Sequence, residues 1–231
     1  MKLAIMQPYW FPYIGYWQLL NHADAFVLYD NIQYTKKGWV NRNRFLLNGK
    51  DEVFSIALNA DSSERDIVER SISPAFDRQK LVRRLEAAYA KAPCCKEVLP
   101  ELQNWIGAPE NNLFQYIRTT IEGVCRYLDI KTKIVISSQV EVGERLQGAD
   151  RVLALCRRLE ADQYINPIGG LELYQKSDFA QHGVQLSFLR SRPITYAQFA
   201  PDFVPWLSII DVLMFNPRER VRSMLLDFDL E

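Results

Sequence analysis

The stretch KLAIMQPYWFPYIGYWQLLNHADAFVLY, residues 2–29, decides the fold. It opens with a short apolar run, KLAIMQ, and Pro8 then ends it, which is the pattern of a buried strand. Apolar residues recur at helical spacing from Gly15 to His22, and a second strand pattern, AFVLY, begins at Ala25. Strand, loop, helix and strand within about 30 residues predict a βαβ unit with parallel strands.

The same unit predicts where a ligand binds. In open α/β sheets the loop after a strand and the start of the next helix lie at the carboxyl ends of the strands, where ligands bind. The loop after the first strand is rich in proline and aromatic residues, and Asp30 follows the second strand. We therefore expect the site at this edge of the sheet.

The rest of the chain continues the alternation. Asn48-Gly49 between two alternating apolar stretches predicts a β-hairpin at about 39–58. Three helices are expected within 77–128, then strands and helices alternate, and RERVRSMLLDF (218–228) is expected to be the last helix. IVERSIS (67–73) is a candidate short strand. The predicted fold class is α/β, Rossmann-like, with a mostly parallel sheet, a hairpin after strand 2 and an inserted helical lobe at 77–128 within one domain, 1–231.

Composition excludes several classes of protein. The 231 residues carry a formal net charge of +0, so no global field favours nucleic acid or an anionic membrane. Four cysteines without CxxC spacing and two histidines predict no metal site and a reduced, cytoplasmic protein. No apolar run approaches the roughly 18–20 residues of a membrane-spanning helix, so no membrane insertion is expected.

The segment Asn31–Lys50 gives the strongest local indication of chemistry, because it holds five cations and no carboxylate directly after a strand. Arginine and lysine suit phosphate or carboxylate groups. A strand starting at Trp39 would place Trp39, Asn41 and Asn43 on one face, and Arg42 and Arg44 on the other. The alternative is a solvated basic edge strand that protects against aggregation.

Several single residues have both a functional and a structural interpretation. Gln7 either orients a ligand through its amide or caps the aromatic loop. Gly15 either admits a phosphate to a helix N-terminus or makes a tight turn. Ser208 and Asp211 fit an N-cap with its capping-box partner. Gly169 and Gly170, followed by Tyr174, fit either a ligand-lining backbone or an ordinary strand-to-helix turn.

The stretches MQPYWFPYIGYWQLL, DAFVLYDNIQYTKKGWVNRNRF, YINPIGGLELY and LSIIDVLMFN resemble, in this order, the WbqC-like proteins. That family is encoded among bacterial surface-polysaccharide and O-antigen genes, so the resemblance implies a pathway more than a reaction. It implies a site made of the following residues: Gln7, Pro8, Tyr9, Pro12, Gly15, Tyr16, Asp30, Gln33, Tyr34, Trp39, Asn41, Arg42, Asn43, Gly169, Gly170, Tyr174, Ser208 and Asp211.

The segment YIGY (13–16) with its following helix and strand is also similar to the HxGH region of the HIGH-type nucleotidylyltransferases. Tyr13 and Tyr16 replace the two histidines that stabilise phosphates in those enzymes. Nucleotidyl transfer therefore requires the cations between Lys36 and Arg44 to take over that role.

The leading hypothesis is a transferase that moves an acyl, aminoacyl or other small group onto a nucleotide-linked sugar. Asp30 or Asp211 would be the general base, and Lys36, Lys37, Arg42 and Arg44 would hold the anion. One alternative is a nucleotidylyltransferase, which would need Mg²⁺. The other is a non-catalytic binding or scaffold protein of glycan assembly. The cofactor is unassigned, and the expected partners are a small anionic substrate and, as an open alternative, a second copy in a homodimer.

Overall fold

The computed structural model describes residues 1–62, 64–143 and 146–231. Within these residues eight strands are formed, in chain order β1 (Lys2–Met6), β2 (Ala25–Leu28), β3 (Arg42–Leu47), β4 (Lys50–Ser55), β5 (Lys133–Ile136), β6 (Gln163–Pro167), β7 (Gln185–Ser191) and β8 (Phe228–Leu230). The helices are α1 (Ile14–His22), α2 (Arg78–Tyr89), α3 (Cys95–Gly107), α4 (Leu113–Leu128), α5 (Gly148–Arg158), α6 (Lys176–Gln181), α7 (Ile209–Phe215) and α8 (Arg218–Met224).

The predicted βαβ unit is the centre of a six-stranded sheet with the order β5-β2-β1-β6-β7-β8. β1 pairs in parallel with β2, Leu3 opposite Ala25, and in parallel with β6, Leu3 opposite Tyr164. From β1 the chain builds the sheet in one direction through β2 and β5, and then in the other through β6 and β7. The carboxyl ends of β1 and β6 therefore flank a topological switch point, the usual ligand-binding position of such sheets.

The hairpin after β2 is formed by β3 and β4, which pair antiparallel with Leu47 opposite Lys50. Asn48 and Gly49 make the turn with φ values of 51° and 76°. Positive φ at both residues matches the right-handed twist of the flanking strands. The paired residues span 42–55, so the hairpin is shorter at both ends than the predicted 39–58.

The three helices expected within 77–128 are α2, α3 and α4. Their apolar faces share one buried cluster with the sheet, since Leu85, Leu102 and Ile117 belong to the same cluster as Ala4 and Phe26. The predicted α/β class with a mostly parallel sheet is confirmed. The division of the chain into domains stays a prediction.

Two predicted elements were wrong. The candidate strand at 67–73 is a 3₁₀ turn, Ile67–Glu69, because Asp66 and Glu69 form a capping box around its start. The last helix ends at Met224 rather than at residue 228, because Phe228 begins β8 and pairs with Ser191 of β7. Long-range strand pairing overrode the local helical pattern there.

Among the described residues, no helix is both long enough and apolar enough to cross a bilayer.

Candidate functional site

The loop between β1 and α1 has an unusual backbone that two buried polar side chains hold in place. Phe11 has a φ of 45° although a proline follows it, a conformation that a bulky residue rarely adopts. Asn43 donates through Nδ2 to the carbonyl oxygens of Trp10 at 3.2 Å and Phe11 at 2.9 Å. Ser208 Oγ donates to the same Phe11 oxygen at 2.7 Å. The surroundings therefore fix this loop before any ligand arrives.

Ser208 is also the N-cap of α7, as the capping interpretation predicts, and its Oγ accepts from the Ile210 N–H at 3.2 Å. The expected capping-box role of Asp211 was wrong, because its carboxylate accepts from other side chains instead. Both Ser208 and Asn43 are buried. Their polar atoms are engaged with the backbone, so they shape the site rather than line it with free hydrogen-bonding groups.

Trp39 lies against the two arginines of β3. The guanidinium carbons of Arg42 and Arg44 are 5.4 Å and 5.5 Å from its ring centroid, within the range of cation–π contacts. The prediction that Trp39 shares a face with Asn41 and Asn43 was therefore wrong. The strand begins at Arg42, so the alternation of faces does not extend back to residue 39.

The two arginines use their donors differently. Arg42 donates to the carbonyl oxygens of Gly38 at 3.0 Å and Lys37 at 2.6 Å, which folds the preceding turn around it. Arg44 pairs with Asp51 at 3.0 Å and donates to the Trp206 carbonyl at 3.3 Å. The Nε–H of Arg44 is buried and has no hydrogen-bond partner in the described part of the chain. Arg44 thus keeps one buried donor unpaired within the described part of the chain, as several other arginines do.

A cavity of about 200 Å³, which we name the arginine cavity, opens beside Arg44. Burial raises the pKa of Tyr9 and of Tyr13 above their usual range, so both phenols are neutral hydrogen-bonding groups at physiological pH. The cavity thus offers aromatic faces and one cation. Its lining consists of Tyr9, Pro12, Tyr13, Trp39, Asn43, Arg44 and Trp206.

A second cavity of about 280 Å³ adjoins the first and shares Tyr13 and Trp206 with it. The rings of these two residues meet edge to face with their centroids 5.8 Å apart, so the pair separates the two spaces. Trp206 is 61% exposed and has a φ of 59°. A bulky residue held exposed in a left-handed conformation is a feature typical of functional sites.

Behind the second cavity, the Asp211 carboxylate is fully buried and accepts three hydrogen bonds. Tyr89 donates to Oδ1 at 2.8 Å, while Tyr196 at 2.6 Å and Gln198 at 2.8 Å donate to Oδ2. The Tyr89 hydroxyl in turn accepts from the Leu46 N–H at 2.9 Å. Through these bonds α7 is joined to α2, to the hairpin and to the segment 192–207.

Burial raises the pKa of Asp211, and the three donors offset only part of that shift. Burial together with the neighbouring Asp211 charge raises the pKa of Tyr196 as well. The pair therefore consists of a neutral phenol and a carboxylate with increased proton affinity. Because Tyr196 lines the second cavity, it connects Asp211 to that space.

Asp30, the other predicted catalytic carboxylate, lies in a different cluster. It is fully buried, and its two oxygens accept from the Ser138 N–H at 2.9 Å and the Ser138 hydroxyl at 2.6 Å. Its backbone oxygen accepts from Val68 N–H at 3.1 Å. Asp30 joins the end of β2 to the turn after β5, and it lines neither cavity.

In the HxGH-like segment, residues 13–16, the side chains of Tyr13 and Tyr16 pack into the space around Gly15 and Gln7. A Cβ atom on Gly15 would lie 2.5 Å from the Tyr13 ring, so the room that this glycine leaves is taken by that ring. Tyr16 is buried and donates to the Gln7 carbonyl at 3.2 Å. The structure therefore shows a packing reason for Gly15 and Tyr16, and Gln7 contributes its backbone oxygen.

The remaining predicted residues lie outside both cavities. Tyr34 donates to Asn41 Oδ1 at 2.8 Å, and Asn41 donates to the Ile56 carbonyl at 2.8 Å, which fixes the approach to β3. Gln33 bridges to Asp66 through its backbone. The others are the exposed Lys36 and Lys37, the exposed Gly169, the buried Gly170 packed against Asn166, and Tyr174 packed against Tyr164 and Phe179.

Sequence reasoning missed Tyr89, Tyr196, Gln198 and Trp206. The segment from residue 192 to 206 is visibly rich in proline and aromatic residues, which indicates a packed loop. Nothing in its pattern indicates a contact with Asp211. In the described residues, no group of three or more His, Cys, Asp or Glu side chains is placed to hold a metal ion.

Comparison with known proteins gives one family and one relative. The WbqC-like protein family matches residues 7–223. The chain is 26% identical over 218 residues to "Uncharacterized protein Rv1507c" of Mycobacterium tuberculosis, covering 93% of each chain. No solved structure is significantly similar to it.

Removing the Tyr196 hydroxyl tests the Asp211 network. The pKa of Asp211 is higher in the folded protein than in the unfolded chain, where it is near 3.8. A raised pKa stabilises the fold at pH values below the unfolded pKa, and this stabilisation is lost as the pH rises through the folded pKa. Tyr196→Phe removes a donor to the ionised form, so we expect it to lower the free energy of unfolding by about 2 kcal/mol at pH 8 and by less at pH 5. Urea denaturation at both pH values measures this.

Tyr127→Phe is the matched control, because the Tyr127 hydroxyl donates to the exposed Glu97 carboxylate at 2.7 Å. We expect that variant to lose less than about 0.5 kcal/mol at either pH. Equal losses in the two variants, or a Tyr196→Phe loss that grows on acidification, would contradict the described role of Asp211.

Proposed function

The chain belongs to the WbqC-like protein family, and from the geometry of the two cavities described above we propose that it is a transferase of bacterial surface-polysaccharide biosynthesis, such as O-antigen assembly. The proposed reaction moves an acyl or other small group onto a nucleotide-linked sugar. One observation carries the proposal: Trp39, flanked by Arg42 and Arg44, lies at a cavity next to the start of α1, at the carboxyl edge of the sheet.

The arginine cavity suits the anionic part of such a substrate. A flat base stacks on an exposed indole, and Trp39 is 42% exposed while its other contacts hold it in place. Arg44 has a planar, permanently charged guanidinium, which suits a phosphate oxygen better than a lysine does. The exposed Lys36 and Lys37, in the turn before Trp39, add positive charge near this entrance.

The proposed step is an acyl transfer. A hydroxyl or amine of the sugar attacks the carbonyl carbon of the donor, the new C–O or C–N bond forms, and the bond from carbonyl carbon to the leaving group breaks. Tyr196 receives the proton that the acceptor loses as it passes its own to Asp211, whose increased proton affinity suits a proton acceptor. The reverse transfer, from Asp211 to Tyr196 and from Tyr196 to the leaving group, then protonates the leaving group and restores both residues.

The binding half of the proposal is tested by titrating the protein with UDP-N-acetylglucosamine in a calorimeter. We expect Trp39→Ala to weaken binding about tenfold through lost stacking. Arg44→Ala should weaken it about 10- to 100-fold, because a charge-assisted hydrogen bond to phosphate is lost.

Arg84→Ala is the matched control for Arg44→Ala. Arg84 also lies over a ring, that of Phe45 at 5.0 Å, and pairs with a hairpin carboxylate, Glu52 at 2.5 Å, but it does not line the cavity. We expect less than a twofold change for this variant. If the wild type does not bind the nucleotide sugar, or if Arg84→Ala weakens binding as much as Arg44→Ala, the proposal is wrong.

The catalytic half is tested with Tyr196→Phe. Loss of the proton-transferring hydroxyl should lower kcat for acyl transfer by about 100-fold, while the Kd for UDP-N-acetylglucosamine stays unchanged. Product is measured by mass spectrometry as acylated nucleotide sugar, with acyl thioesters as donors. Tyr127→Phe serves as the control again, and a Tyr196→Phe variant with wild-type kcat would remove Tyr196 and Asp211 from the proposed chemistry.

A further inference from the structure

The second cavity, which we name the acyl chamber, differs chemically from the arginine cavity beside it. Its walls come from the start of α1, from the segment after β7 and from α7. They combine aromatic rings with aliphatic and proline side chains, the latter being Ile14, Pro193, Ile194, Pro205, Leu207 and Val212. Such a lining favours an apolar group, because burying apolar surface there removes it from water.

The carboxylates near the acyl chamber are already engaged by other groups. Among the described residues that line it, none is an aspartate or glutamate, and Arg192 is the charged one. The Arg192 guanidinium pairs with Asp229 and, at 3.3 Å, with Asp227. Asp211 lies behind Tyr196 and Gln198, and its oxygens already accept three hydrogen bonds. An ammonium group in the chamber would therefore be desolvated without a carboxylate in the described lining to pair with it.

The hydrogen bonds around Asp211 also fix the shape of the acyl chamber. Gln198 donates to the Val204 carbonyl at 3.1 Å and accepts from the Val204 N–H at 2.8 Å, which closes the segment between them into a loop. Tyr196 is tied to Asp211 and packs against Phe203 with ring centroids 5.1 Å apart. The chamber is thus formed before a ligand binds, so binding needs little reordering of the wall.

We infer that the acyl chamber binds a neutral aliphatic acyl group and discriminates against an aminoacyl group. This inference rests on the proposed function, since it specifies which small group is transferred. Two observations carry it: the apolar lining without a free carboxylate, and the shared Tyr13–Trp206 pair that places the chamber directly beside the arginine cavity.

Two model thioesters test the inference: S-octanoyl-N-acetylcysteamine and its 8-aminooctanoyl counterpart, which differs by a terminal ammonium. Binding to the full chain is measured by calorimetry. We expect the octanoyl compound to bind at least tenfold more tightly than the aminooctanoyl compound, because the chamber offers the ammonium no carboxylate. Equal affinities, tighter binding of the amino compound, or no octanoyl binding would overturn the inference.

Variants at Thr195 locate the binding. Thr195 lines the chamber but is itself exposed, so larger side chains there do not disturb the core. Thr195→Trp should weaken octanoyl binding at least tenfold by filling the space. Thr195→Asp should reverse the preference towards the aminooctanoyl compound by supplying a carboxylate. If octanoyl binding is unchanged in Thr195→Trp, the acyl group binds elsewhere and the inference is wrong.

The same samples separate this inference from the proposed function. UDP-N-acetylglucosamine is titrated into the wild type and into Thr195→Trp, and we expect equal affinities because Thr195 does not line the arginine cavity. If the nucleotide sugar does not bind while the octanoyl preference holds, the proposed function fails and the chamber assignment stands. If the nucleotide sugar binds and the octanoyl preference is absent, the inference alone fails.

Discussion

The hydrogen bonds that converge on the buried Asp211 carboxylate are the constraint on which the rest of the site depends. A buried carboxylate without donors is strongly unfavourable, so Tyr89, Tyr196 and Gln198 must all reach it in the folded protein. Tyr89 comes from α2, whereas Tyr196 and Gln198 belong to the segment 192–207. Satisfying one carboxylate therefore fixes the position of α2, of the hairpin and of the segment that forms the acyl chamber.

A second polar contact fixes the other side of the site. The Phe11 carbonyl accepts from both Asn43 and Ser208, which ties the strained aromatic loop to the hairpin and to α7. Tyr13 directly follows that loop, and Trp206 lies just before α7. The contacts of the Phe11 carbonyl therefore help to position both rings of the pair that separates the two cavities. The functional residues of the site are consequently aromatic rings and Arg44, and the buried polar residues hold them there.

The sequence predicts the fold where patterns are local. The βαβ unit at residues 2–29 and the Asn48-Gly49 hairpin follow from periodicity and turn chemistry. β8 was missed because its identity depends on pairing with β7, which local periodicity does not encode. The motif residues were recognisable, and so was the N-cap role of Ser208, but their tertiary contacts were not. Asn43, Ser208 and Asp30 are buried and form hydrogen bonds with groups that are distant in sequence. Only the tertiary structure shows those partners.

The central claim is that ligands bind on the two sides of the Tyr13–Trp206 pair. A crystal structure of the protein with bound UDP-N-acetylglucosamine tests it most directly. We expect the uracil ring to stack on Trp39, a phosphate oxygen to contact Arg44, and the sugar to lie at the Tyr13–Trp206 pair. A nucleotide sugar bound instead next to the Asp30–Ser138 contact, after β2 and β5, would contradict the claim.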